Sequence, residues 1–186
     1  MRKNFGAKAM CYPMPVFIIG TYNEDGTPNA MNAACGGISE ETEITVCIDS
    51  THKTAENLMA RKAFTVSMAT ASQVAACDYV GIVSGTKEPD KFARAGFHAT
   101  KSAFVDAPLI DELPMALECE VISYDPESCR LLGRIVNVCA DEGVLDENGK
   151  VDAAKLAPIT FDPMHNRYLA LGKSVGRAFH DGLLLK

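Results

Sequence analysis

Residues 15–39 read PVFIIGTYNEDGTPNAMNAACGGIS. Val16 to Tyr22 is a continuous β-type run, and the Asp25-Gly26 pair that follows supplies the positive φ a tight hairpin needs. The flanking segments are therefore predicted to be antiparallel strands. The second of them, Asn29 to Ser39, alternates only weakly and is crowded with Ala and Gly. Small residues along a strand permit close approach to its backbone, either by something flat or by a neighbouring chain.

Working outward, EITVCID (43–49) is a third strand carrying Ile44, Val46 and Ile48 on one face. TAENLMARK (54–62) reads as a short helix with Thr54 as N-cap and Glu56 in its first turn. AFTVSMA (63–69) is strand four. SQVAACDYVGIVSG (72–85) is helical until its glycines break it, and PDKFARAG (89–96) is a helix led by Pro89 and ended by Gly96. MALECEVISY (115–124) and CRLLGRIVNVCA (129–140) are long strands joined by the turn DPES. Strands dominate, and no regular strand-helix-strand alternation follows a Gly-rich loop, which argues against a doubly wound parallel sheet. The fold class is mainly β, a β-barrel with inserted helices, in a single domain spanning 1–186.

Composition narrows the function. Of 186 residues 47% are hydrophobic, enough for one sizeable core. Lys and Arg number 18 against 24 Asp and Glu, a net charge of -6 that disfavours nucleic acid. No apolar stretch approaches a membrane span, and the N-terminal MRKNFGAKAMCYP has no apolar core of signal length, so a cytoplasmic location is expected. The seven cysteines include no C-x-x-C pair and suggest neither a zinc site nor a disulfide framework. That many thiols fit a reducing interior. Cys47, Cys119 and Cys139 lie inside apolar runs and are expected to pack as small hydrophobes.

Between the third strand and its helix stand Ser50, Thr51, His52, Lys53 and Thr54. Free amides at a helix N-terminus beside a lysine make an anion site. The plainer alternative is that Thr54 only caps the helix and Lys53 is a solvated charge. A flat, phosphate-bearing cofactor accounts for the small-residue strand and the anion site together, and flavin mononucleotide, FMN, is the natural candidate. FAD needs a second phosphate cradle, and no G-x-G-x-x-G turn supplies one. The four histidines are scattered, only His52 falls in a candidate site, and no catalytic triad, carboxylate pair or metal set stands out.

PVFIIGTYNEDGTPNAMNAACGGIS, STHKTAENL, FTVSM, CDYVGIVSGTKEPDKFARAG, APLIDELPMALECEV and VLDENGKVD with KLAPITFD and RYLALGKSVGRAF occur in this order over nearly the whole chain. Together they resemble the flavoredoxin branch of the flavin reductase-like, FMN-binding split-barrel family. The resemblance implies a Greek-key antiparallel split barrel and a homodimer with FMN in a groove near the subunit boundary. It assigns Asn32, Ala33, Ala34 and Cys35 to the flavin wall. Thr51, His52, Lys53 and Thr54 fall to the phosphate and ribityl end, and Ser84, Gly85 and Lys91 close the site. Relatives often carry a tryptophan before the Gly-Gly pair, where this chain has Cys35 and no tryptophan anywhere. The chemistry then belongs to the cofactor. One expectation is an enzyme taking hydride from NAD(P)H and passing electrons to free flavin, ferric complexes or another acceptor. The alternatives are a non-catalytic flavoredoxin-type electron carrier and a structural subunit without cofactor.

Overall fold

The computed structural model describes residues 1–186. In chain order its strands and helices are β1 (Met14–Pro15), β2 (Phe17–Tyr22), β3 (Pro28–Ala33), β4 (Gly36–Glu40), β5 (Glu43–Cys47), α1 (Lys53–Arg61), β6 (Ala63–Met68), α2 (Val74–Ile82), α3 (Lys91–Arg94), β7 (Ala99–Lys101), β8 (Pro108–Ile110), β9 (Met115–Asp125), β10 (Arg130–Ala140), α4 (Ala153–Leu156), β11 (Ile159–Asp162) and β12 (Arg167–Ala170). Seven strands form one antiparallel sheet in the order β3-β2-β6-β9-β10-β5-β4. A smaller sheet, β1-β11-β12, and the β7-β8 pair complete the strand structure.

The two edge strands of the large sheet, β3 and β4, are consecutive in the chain and joined only by Ala34 and Cys35. Three Cα–Cα steps of 3.8 Å cannot hold those edges more than about 11 Å apart at that end. The sheet must therefore curl, and it forms the half-barrel of a split β-barrel. A Cβ placed on Gly36 would lie 2.7 Å from the Thr45 carbonyl of β5 and 3.3 Å from the Phe17 ring of β2, so glycine is what fits where β4 starts between its partner strand and the opposite wall.

The predicted first hairpin is present. Phe17 pairs with Ala33 and Tyr22 with Pro28, and the connection turns at Gly26 with φ +84° while the Asp25 carboxylate accepts bonds from the Thr27 amide and hydroxyl. The predicted small-residue strand is corrected, because it is two strands separated by a bend at Ala34–Cys35 and pairing at opposite ends of the sheet. The third strand ends at Cys47. The β9–β10 hairpin forms as expected, its turn organised by the Asp125 carboxylate on the Glu127 amide and the Ser128 hydroxyl.

Two apolar cores lie on the two faces of β2. Phe17 and Ile19 join Ile44, Val46, Ile48, Leu58, Phe64 and Leu131 inside the curl, while Val16 and Ile18 pack outside it against Val80, Phe92, Phe97 and Ile110. A strand buried on both faces carries a continuous apolar run, which is why residues 16–19 do not alternate. β5 instead buries Ile44 and Val46 and turns the intervening positions outward. Cys47 is thereby exposed, against the expectation of a core thiol, and Cys139 is half-buried; Cys119 is fully buried as expected. No helix is long and apolar enough to cross a membrane.

Candidate functional site

A cavity of about 170 Å³ opens beside β3, where the start of α1, the end of α2 and α3 converge. Six of the residues assigned to the site from sequence line it: His52, Lys53, Thr54, Ser84, Gly85 and Lys91. Met31, the α2 residues Val80 to Ile82 and the C-cap Val83 complete the wall.

His52, not Thr54, occupies the N-cap of α1, and no side chain caps the helix. Thr54 is the second residue of α1, is buried, and its Oγ1 accepts a bond from Asn29 Nδ2 of β3 at 3.1 Å. The sequence could not show this, because capping preference is local whereas the partner is 25 residues away. The first amides of α1 have no acceptor within the helix, so they, the Thr54 hydroxyl hydrogen and Lys53 bring donors to one corner of the cavity. Lys53 Nζ is paired with Glu56 at 2.7 Å, which offsets part of its charge.

Lys91 differs. It is 4% exposed, and its Nζ donates to the carbonyls of Val80 at 3.1 Å and Val83 at 3.0 Å, at the electronegative end of α2. No carboxylate pairs with it. Burial lowers its pKa to about 8. The ammonium has three protons and the carbonyls take two, so one donor remains for an anion. A Cβ on Gly85 would fall 2.6 Å from Asn29 Oδ1 and 3.4 Å from Lys91 Cε, and glycine is what keeps this corner open.

The other assigned residues stand apart from the cavity. The Thr51 amide and hydroxyl are both bound to the Asp49 carboxylate, at 2.8 and 2.7 Å, and these bonds hold the Asp49 pKa low. Asn32 is pinned, donating from Nδ2 to the Cys77 carbonyl of α2 at 3.1 Å. Ala33 is buried in the inner core, Ala34 is half-buried, and Cys35 is exposed at the bend before β4. Asn29 was not anticipated from sequence; its only signal was a polar residue at the same alternation as Met31 and Ala33. α2 is held against β3 at Gly81, whose added Cβ would sit 2.8 Å from the Asn32 Cβ, and one turn earlier by Tyr168 of β12, which donates to Asp78 at 2.7 Å. Burial of the Tyr168 ring pushes its hydroxyl up to about 12.

Residues 9–163 match the flavin reductase like domain family. The flavoredoxin of Desulfovibrio vulgaris (Miyazaki F) superposes with a TM-score of 0.93 at 37% identity, covering 98% of this chain and 100% of that one. A flavoredoxin from Methanosarcina acetivorans superposes with a TM-score of 0.89 at 26% identity over 100% of both chains. An uncharacterized protein of Bacillus subtilis (strain 168) is 22% identical over 95% of this chain and 93% of its own length.

Proposed function

The chain belongs to the flavin reductase-like family, and on that premise we propose that it is an FMN-binding oxidoreductase that takes hydride from NAD(P)H and passes the electrons to free flavin, a ferric complex or another acceptor. The observation that carries the reading is Lys91: a buried ammonium with no carboxylate partner, at the wall of a cavity already supplied with α1 amides and the Thr54 and Ser84 hydroxyls. That donor set fits a phosphate monoester, since charge-assisted bonds to anionic oxygen are the strong ones.

Bound FMN supplies the hydride-accepting ring and the electron transfer chemistry. The chain's own part is to hold and orient. Lys91, Thr54 and the α1 amides would hold the phosphate, with Lys53 adding a charge shared with Glu56. Gly85 leaves room for close approach. Were the flavin ring to extend from the cavity to the bend at Ala34–Cys35, the small side chains there would leave space for a nicotinamide to stack without a dinucleotide-binding domain.

The likeness to flavoredoxins favours a second reading, a non-catalytic carrier between redox proteins. Anaerobic stopped-flow reduction separates the two. The enzyme gives saturable bleaching by NADH or NADPH, whereas bleaching that stays linear with both to millimolar concentration leaves the carrier. Chromatography of the released flavin tests the cofactor: FMN is expected, and FAD alone or no bound flavin overturns the reading.

A further inference from the structure

Cys35 and Cys47 are both exposed, and the ladder places them face to face. Gly36 pairs with Val46 and Gly37 with Thr45, so the next rung back joins Cys35 to Cys47, and the Cys47 amide donates to the Cys35 carbonyl at 2.8 Å. Val46 is buried, so its neighbour Cys47 turns to the outer face of the sheet, and directly opposed residues of an antiparallel pair share a face. The reciprocal bond from the Cys35 amide is absent, so the two cysteines form half of a hydrogen-bonded rung just beyond the end of β4; a complete rung has Cα atoms about 5.5 Å apart, within the span a disulfide bridges. Closing the pair asks the Cβ atoms to approach by about 1–2 Å from the wide spacing of hydrogen-bonded cross-strand neighbours, and such departures make a disulfide easier to reduce.

We propose that Cys35 and Cys47 form a reversible dithiol–disulfide site that reacts with small disulfides of the glutathione class. One cysteine thiolate attacks a sulfur of the oxidised glutathione and expels one glutathione thiolate. The second then attacks the mixed disulfide and expels the other. The two cysteines lose two electrons and two protons, and one glutathione disulfide becomes two glutathione thiols.

Other thiols compete poorly. Burial raises the Cys77 and Cys119 pKa values to about 11 and about 12, keeping both protonated. Cys129 stands opposite the inward-facing Ile48, whose amide donates to the Cys129 carbonyl at 2.8 Å, and its Sγ lies against the Pro126 carbonyl. Cys11 is exposed in the segment before β1 and makes no backbone bond to Cys35 or Cys47. The bond would tie the link between the two sheet edges to β5, next to the wall assigned to the flavin, though the thiol chemistry is independent of any cofactor.

The test uses the full-length Cys11→Ser chain treated with oxidised glutathione. Digestion after glutamate cuts at Glu40, Glu41 and Glu43, between the two cysteines, so a linked pair is read directly by mass spectrometry. The expected result is loss of two thiols per chain, a mass lower by two hydrogens, no retained glutathione, a Cys35–Cys47 cross-link, and full reversal by dithiothreitol. Adding Cys47→Ser should leave one glutathione on Cys35. Glutathione retained on both cysteines, a link from Cys47 to Cys129, a bond between two chains, or both thiols remaining free would overturn the proposal.

Discussion

Lys91 concentrates the electrostatics of the site in one group. In the ligand-free protein, burial depresses its pKa to about 8, and an unfolded lysine titrates near 10.4. Between those values the unfolded chain binds the extra proton, so this residue makes stability rise with pH across that window. A bound phosphate needs the charged form. FMN affinity is therefore expected to fall as pH climbs above 8, approaching about tenfold per pH unit, whereas riboflavin affinity stays level; parallel fluorescence titrations check this, and equal slopes would remove Lys91 from the phosphate. Lys91→Met is expected to weaken FMN relative to riboflavin by about tenfold to a hundredfold, the worth of one charge-assisted bond of roughly 1.5–3 kcal/mol. Lys53→Ala should cost less, because Glu56 already shares that charge.

Elements are positioned by contacts that local sequence does not announce. Gly81 was expected to break α2, but the helix runs through it to Ile82, and the glycine is there because α2 lies against Asn32 of β3. Gly81→Ala is expected to destabilise by about 1–3 kcal/mol as the helix is forced off the strand, measured by urea unfolding; an unchanged midpoint would mean that the contact is not tight. A second junction ties the N-terminal segment to the β11–β12 hairpin. The Asp162 carboxylate accepts from the Tyr12 hydroxyl at 2.5 Å, and His165 and Arg167 lie against its other oxygen at 2.8 and 2.9 Å. The Tyr12 bond is the largest of the influences that hold Asp162 far below the usual carboxylate range. A depressed carboxylate contributes stability that is present above its unfolded pKa of about 3.9 and lost as pH falls below it. Asp162→Asn is expected to lower the melting temperature at pH 7 and to flatten its dependence between pH 5 and 2; a parallel shift of the whole profile would place the acid sensitivity elsewhere.

At the scale of the molecule, the open half-barrel leaves Ile38 of β4, Ile122 of β9 and Val136 and Val138 of β10 exposed. Exposed apolar residues on several strands of one sheet fit a surface covered by a second copy. Sedimentation is expected to give twice the 20.0 kDa chain mass, and a monomer at micromolar concentration with FMN bound would overturn both the dimer and a site shaped by its boundary. Ile38→Lys with Val136→Lys should shift the equilibrium to monomer without unfolding the chain, since neither side chain belongs to a core cluster.

The sequence by itself determined what is set within a few residues. Alternation at Ile44, Val46 and Ile48, the Asp25-Gly26 turn, the Asp125 turn between two long strands, and the short helix after Lys53 all follow from period and turn chemistry. The mainly β fold and the anion corner at His52, Lys53 and Thr54 were legible on that basis, whereas Ser84, Gly85 and Lys91 joined that corner only through the family resemblance. Only the tertiary structure decided that Asn29 to Ser39 is two strands at opposite edges, that Thr54 answers to Asn29 instead of capping, that Thr51 belongs to Asp49, and that Cys47 faces solvent opposite Cys35. The reason is physical: a residue's own period shows which of its faces agree, but which face is buried, and against what, is fixed by ladder pairing and helix docking between segments distant in the chain.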